Sequence, residues 1–326
     1  MSSLLPHPSH TPASRLMWDD EAVCYLCLDG GVDEAGQPLR RDCACRGTDA
    51  GFVHLACLTK YAAAKNKQAY DMNEFTKPWL YCPSCNQVYQ NELGIDIATE
   101  FVSFVRRQYP DDTRMQVEAL YVKLYTLNSM LDRLQPMQKR EAGVTANVLL
   151  FLIDRMKEHA PRLHRRYSQI EAFAYGAHGH IALEEETEEG ARRAVVYFER
   201  KMESSKEIGE DEGVANAKSN IAIAKSKYHD GRNIKKEVAK ASQELYKLRV
   251  SKYGEESEYA ILAGKDYAAA LQNANCSYEA RELSTKFLAT SKQVLGPNHS
   301  TTRAVEHTLM QIIVITFIKS SSSVFV

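Results

Sequence analysis

Seven of the eight cysteines fall between Cys24 and Cys85, and they are ordered in short pairs. Cys24 and Cys27 stand two residues apart, Cys43 and Cys45 one, and Cys82 and Cys85 two, while Cys57 follows His54 at the same two-residue interval. His54 is the only histidine between His10 and His159. A short turn can present two such side chains to one tetrahedral ion about 2.3 Å from each sulfur. Thiolate is a soft donor and selects zinc over magnesium or calcium. Four pairs supply two ions with four ligands each. A closed shell of that kind is structural, because no position remains for a catalytic water. A disulfide framework would want an even cysteine cluster in an exported chain. The bland alternative is a set of buried free thiols behaving as small hydrophobes, and four ordered pairs within 62 residues speak against it. Spacing alone leaves open how the pairs combine.

The rest of the composition narrows the class. A chain of 326 residues, 44% of them hydrophobic, can bury one or two packed cores. A formal net charge of -1 provides no basic field for nucleic acid or for an anionic membrane. Residues 1–20 are rich in Ser, Pro and His and read as a disordered tail. They lack the basic start and apolar run of a secretory signal. The longest apolar stretch, Leu309 to Ile318, is about half of the roughly 20 residues that cross a bilayer. The expectation is an intracellular, cytoplasmic protein without a membrane span, with the nucleus as the alternative compartment.

The order of ligands is four cysteines, a histidine and three cysteines, with Ala44 alone between the third and fourth. Cys43-Ala44-Cys45-Arg46-Gly47-Thr48 leads to Phe52-Val53-His54-Leu55-Ala56-Cys57-Leu58. These residues resemble the central motif of the RING-CH (RING-variant) family, although eight residues separate Cys45 from His54 where that family usually has seven. The resemblance covers about residues 21–92. It implies a cross-brace in which Cys24, Cys27, His54 and Cys57 hold one structural zinc and Cys43, Cys45, Cys82 and Cys85 the other. It also implies a ubiquitin ligase that holds a ubiquitin-charged conjugating enzyme and has no covalent intermediate of its own. The family's docking groove would use Leu26 before the second ligand, Tyr61 four residues after the sixth, and Pro83 after the seventh. Tyr61 stands where Trp is usual, and Asn86 stands where many ligases carry a basic residue that steadies ubiquitin. Each of the three docking residues also has a plain structural reading. Leu26 can pack between zinc loops, Tyr61 lies in a helix-favouring stretch from Leu58 to Lys67, and Pro83 suits a tight turn.

Beyond Ile97 the pattern turns helical. Val117, Leu120, Tyr121, Leu124, Leu131 and Leu134 recur at helical spacing, with Pro136 expected to close that helix. Leu149, Leu152 and Met156 suggest another before Pro161. Residues 97–158 therefore read as a helical linker and packing layer. From 165 to 318 there is an internal repeat. Ile208-Gly209-Glu210-Asp211, Tyr253-Gly254-Glu255-Glu256 and Leu295-Gly296-Pro297-Asn298 are similar breaks, with glycines 45 and 42 residues apart. Phe198 and Met202, Leu245 and Leu248, and Leu288 and Val294 lie on the helices before them. Ala222, Ala268 and Ala304 lie on the helices after, where close approach is expected. Such a period marks stacked helical hairpins, each unable to bury its apolar face alone. Leu295-Gly296-Pro297-Asn298-His299-Ser300-Thr301 resembles the junction of kinesin-light-chain-type tetratricopeptide (TPR) repeats, with Ser300 in place of proline. Hairpins are expected at 165–208, 209–254 and 255–296, a last helix from about Ser300, and a tail at 319–326. An irregular helical bundle is the alternative.

Several features receive only ordinary readings. Glu184 to Glu189 is a solvated corner, His178 and His180 are packed or exposed rather than metal-bound, and Cys276 is a small buried residue. The sequence thus implies a zinc-stabilised cross-brace domain followed by an all-α TPR-like solenoid. Its partners would be a conjugating enzyme, ubiquitin and a protein held on the repeats. The competing functions are a PHD-like histone-tail reader and a non-enzymatic scaffold whose zinc domain only folds. A PHD finger usually places a Trp two positions before the seventh ligand, whereas Trp79 lies three before Cys82.

Overall fold

Short turns dominate where the cysteines are dense, and helices take over where they stop. The structure, a computed structural model, describes residues 22–42, 45, 51–159, 163–229 and 231–322. Among the described residues there are twelve α-helices, and pairing outside them is limited to isolated bridges: Val23 with Gly30, Val32 with Pro38, Arg40 with Val53, and Tyr81 with Val88. Residues 1–21, including the whole of the expected N-terminal tail, lie outside the described residues, as do Cys43, Pro161 and 323–326 at the end of the expected C-terminal tail.

Helix α1 (Leu55–Asn66) carries Cys57 and Tyr61. Helix α2 (Met72–Leu80) starts with a reciprocal cap. Asp71 accepts from the Glu74 N–H at 2.8 Å, and the Glu74 carboxylate accepts from the Tyr70 N–H at 2.9 Å. Each carboxylate thereby satisfies an otherwise orphaned donor. Helix α3 (Asn91–Gln108) buries Leu93, Ile97, Ala98, Phe101, Val102 and Val105 on one face, the three-four spacing of an amphipathic helix. Trp79 of α2 is fully buried, stacks on Phe101 with centroids 4.9 Å apart, and donates its indole N–H to Asn66 Oδ1 at 3.2 Å. One hydrophobic core therefore runs without interruption from Cys24 through α3 to Ala177.

Helix α4 (Thr113–Asn128), capped by Asp112, ends before Leu131. A single 3-10 turn, Leu131–Arg133, follows. Pro136 opens helix α5 (Pro136–His159) instead of closing the one before it. This corrects the sequence expectation. Leu131 and Leu134 are buried, but from the turn and not from a continuing helix. Proline is at home in the first helical position, because the N–H it lacks would have no partner there. Residues 97–158 pack directly against the zinc-bearing segment and α6 within the same core.

The remaining helices are α6 (His164–Leu183), α7 (Glu188–Glu207), α8 (Asp211–Lys225), α9 (Arg232–Tyr253), α10 (Glu258–Asn273), α11 (Ser277–Val294) and α12 (Ser300–Ser322). Each packs on the next in the chain. Gly209, Gly254 and Gly296 all have left-handed backbones, with φ of 65°, 85° and 93°. Glycine meets that requirement without a Cβ penalty, so the three similar breaks in the sequence are three similar helix ends. Ala222 and Ala268 are buried as expected, whereas Ala304 is half-exposed and Val305 takes the interior position on α12. On α11 the interior residue is Phe287, while Leu288 is half-buried and Val294 exposed. Among the described residues no helix is long and apolar enough to cross a membrane.

Candidate metal centres

Two loops with the same backbone present the outer cysteine pairs. In the first, Cys24 N–H donates to Asp29 O and Leu28 N–H to Cys24 O, both at 2.8 Å. In the second, Cys82 N–H donates to Gln87 O and Asn86 N–H to Cys82 O, again at 2.8 Å. The residue after the second cysteine is left-handed in both, with φ of 67° at Leu28 and 55° at Asn86. That turn keeps both sulfurs on one side of the loop. Asparagine tolerates this conformation better than most residues. The identity of Asn86 therefore has a backbone cause independent of any partner.

The inner ligands come from the approach to α1. His54 is the extended N-cap of α1 and Cys57 lies in its first turn. The Arg40–Val53 bridge, with both hydrogen bonds at 2.9 Å, fixes this approach against the loop before it. His54 Nδ1 lies 3.5 Å from Cys27 Sγ and 3.9 Å from Cys57 Sγ. Cys24, Cys27, His54 and Cys57 have ligating atoms all within 4.8 Å of one another, and so do Cys45, Cys82 and Cys85. Cys45 Sγ and Cys82 Sγ are 3.7 Å apart. A tetrahedron with bonds of about 2.3 Å has edges of about 3.8 Å, whereas a disulfide needs about 2.05 Å. The spacing is that of a coordination shell. Pairs one and three converge on one centre, and Cys45 joins the last pair on the other, so the two clusters interleave along the chain.

The electrostatics favour a cation. Burial raises the Cys24 thiol, but backbone N–H groups of His54, Cys27 and Leu26 outweigh it and bring it down to about 7. Burial, contact with Cys27 and charge on Cys24 push Cys57 up to about 12. Three sulfurs this close cannot all ionise unless a positive ion sits among them. His54 Nε2 is buried without a hydrogen-bond partner, which leaves Nδ1 as the nitrogen turned toward the thiols. The donor set of soft sulfurs with one imidazole fits zinc. The two clusters are compatible with two structural zinc sites.

Beside the second cluster lies a groove of about 610 Å³ between α1, α2 and the Cys82–Cys85 loop. Tyr61 and Pro83 line it together with Asn86, Lys77, Tyr81 and the exposed Tyr70. Leu26 is not part of its lining; it is half-buried against the shared core. Sequence reasoning missed Tyr70, Lys77 and Tyr81, although Asp71 followed three residues later by Glu74 was a readable start signal for the helix that forms one wall of the groove. Tyr81 has its phenol raised by burial and then by charge on Tyr259 and Glu258 in the first turn of α10.

Among the remaining residues singled out from sequence, His178 stacks on Tyr197 at 4.9 Å and His180 meets Phe198 edge-on at 5.2 Å. Cys276 is half-buried at the N-cap of α11. Glu184 pairs with Lys139, and Glu188 with Arg192, at the α6–α7 corner.

Residues 24–85 match the family model of the RING-variant domain. No curated protein matches the chain.

Proposed function

We propose that this chain is a RING-CH-type ubiquitin ligase of the adaptor kind. Cys24, Cys27, His54 and Cys57 would hold the first zinc, and Cys43, Cys45, Cys82 and Cys85 the second. Tyr61 and Pro83 would receive the conjugating enzyme, and the helical repeats after residue 165 would hold a protein partner or the substrate itself. The observation that carries this reading is the placement of Tyr61 and Pro83 on one groove beside the second cysteine cluster, within the segment that matches a RING-variant domain. Transfer would proceed by proximity, a lysine of the substrate being brought to the charged enzyme without a nucleophile from this chain.

Contacts between alternate helices support a role for the repeats. Helix α2 touches α4, α4 touches α6, α6 touches α8, and α10 touches α12. In a repeat stack, contacts of this kind would belong to the inner layer, the layer on which repeat proteins usually bind their partners. Because α2 also walls the groove, the enzyme site and the partner site would adjoin.

Leu26, half-buried against the shared core and outside the lining of that groove, would be the third docking residue, and a scaffold whose zinc domain only folds is the alternative. Nothing favours a histone reader, since Trp79 is buried against Phe101 and unavailable to a ligand. Ubiquitin discharge from a broad panel of charged conjugating enzymes, with and without the zinc-loaded chain, separates the two. Acceleration that Tyr61→Ala abolishes supports the ligase. Acceleration from no enzyme in the panel overturns it.

A further inference from the structure

Helices α10 and α12 hold equivalent places in the array. They start at Glu258 and Ser300, each a few residues after a left-handed glycine, Gly254 or Gly296. On one side the two helices match. Ala260, Ala263 and Ala270 of α10 are buried, and so are their counterparts Thr302, Val305 and Ile312 of α12. Thr302 donates to Ser291 O of α11 at 3.2 Å, Val305 clusters with Ile261 and Phe287, and Ile312 clusters with Ala268 and Ala280.

On the other side they differ. Gly264 of α10 sits against Phe287 of α11, and Ala268, Leu271 and Gln272, along the same side, are buried. Their counterparts on α12 are Glu306, Met310, Ile313 and Val314, and all four are exposed. Helix α11 covers this side of α10; among the described residues no helix covers it on α12.

The uncovered side is apolar. Met310, Ile313, Val314, Phe317 and Ile318 recur at the spacing of one helix face and are 38–71% exposed. Glu306, at the start of this side, is taken by Lys292 at 3.2 Å, and no charged residue stands between His307 and Lys319. The outer face of a terminal repeat is ordinarily polar. Side chains of this size at about half exposure present on the order of 500 Å², the range in which an apolar patch marks an interaction site.

The geometry, charge and size of this side together fit one occupant. A short turn makes α11 antiparallel to α10, so the matching position on α12 is one for an antiparallel helix. A second copy supplies it, because a two-fold axis crossing α12 lays the same helix against itself in opposite directions. A stripe without charge faces its own copy without repulsion and offers a charged partner nothing to pair with. Two such stripes together bury on the order of 1,000 Å², about the smallest area of a specific interface. We infer that the chain forms a homodimer through α12, with Val314, the centre of the stripe, facing Val314 of the second copy. The inference goes beyond the ligase reading and stands without it.

Sedimentation equilibrium of the full zinc-loaded chain tests it. The mass should rise from one chain toward two as concentration passes through the micromolar range. Val314→Glu sets two carboxylates against each other across the axis and should weaken the dimer about tenfold or more. Val314→Lys should do the same. Both changes fall on an exposed position, so the helical signal should stay that of the unmodified chain. An equimolar mixture of the two variants should recover the dimer, since a Glu–Lys pair replaces the repulsion. That recovery tells loss of self-pairing from loss of fold. The mass of one chain at every concentration up to about 100 μM overturns the inference. So does a dimer that Val314→Glu leaves intact, or a mixture of variants that stays monomeric. Growth beyond two chains also overturns it. Helix α12 would then seat on a different surface of the next copy, such as the exposed Val144 and Phe151 of α5, and the contact would not close.

Discussion

Gly264 on α10 faces the ring of Phe287 on α11 so closely that a Cβ at 264 would lie 2.2 Å from Phe287 Cζ. The same device recurs between α6 and α7, where a Cβ at Gly179 would lie 2.4 Å from Phe198 Cε1. Both rings are fully buried. Within these two hairpins, then, a missing side chain on the first helix makes room for an aromatic on the second.

Gly264→Ala should therefore destabilise the chain, although alanine is the better helix former by about 1 kcal/mol. Overpacking costs about 1–3 kcal/mol, and the ring, already buried, has little space to yield. A drop in the denaturation midpoint is expected, with Phe287→Leu in the same chain restoring much of it. An unchanged midpoint in the single variant would show that the two helices slide apart freely.

Metal content is the second expectation. Native mass spectrometry of the reduced protein should find two zinc ions per chain. Structural zinc contributes about 10–16 kcal/mol of apparent free energy in small modules. Chelation should then loosen the packing of Trp79 on Phe101, read in a Trp18→Phe background as a red shift of indole emission. Most helical signal should persist. One ion, or an indole blind to chelator, would contradict two interleaved centres joined to the core.

Leu28 and Asn86 give a third test, because both occupy left-handed turns after a metal-centre cysteine. Leu28 is exposed and bears the steric cost without a packing return. Leu28→Gly should stabilise by about 0.5–1 kcal/mol. Asn86→Arg should lose a similar amount while both zinc ions stay bound. If the ligase reading holds, Asn86→Arg should also speed ubiquitin discharge despite its lower stability, because a donor there can bridge ubiquitin and the conjugating enzyme.

Lys201 predicts a pH signature. Burial, then the charge on Arg249, lowers it to about 8. In the unfolded chain a lysine keeps its proton to about 10.4. Between those values the unfolded state binds more protons, so this group makes stability rise with pH; below about 8 its full cost is present. Lys201→Met lacks the term. Denaturation midpoints of the two proteins should differ more near about pH 7 than near about pH 9.5, with the variant the more stable at the lower pH. A constant difference would mean that Lys201 is well solvated.

The cysteine pattern was legible because ligation demands fixed residue types at fixed intervals. Cys24, Cys27, His54 and Cys57 meet as one cluster, and Cys45, Cys82 and Cys85 as another; Cys43 lies outside the described residues. The helix ends at Gly209, Gly254 and Gly296 were legible for a similar reason, since each needs a backbone that glycine supplies. Pro136 misled because proline is compatible with either side of a helix boundary, and Leu131 and Leu134 keep helical spacing through a turn that is not α-helical. The half-burial of Leu26 against the shared core was not legible, because spacing along a loop does not say which way a side chain leans. The Gly264–Phe287 fit joins residues whose meeting depends on the packing of two helices, which no local pattern reports.

The indole of Trp79, wedged between the zinc-bearing segment and α3, has a consequence for reach. A module on a loose leash sweeps a sphere and meets whatever lies inside it. One cemented to its neighbour delivers to a single address. If ubiquitin arrives at the Tyr61–Pro83 groove, the lysine it joins would be chosen by where it stands along the helical body. Lengthening the path between docking point and lysine, by inserting helical turns in a bound partner, would then move the mark from one lysine to the next like a pointer along a ruler.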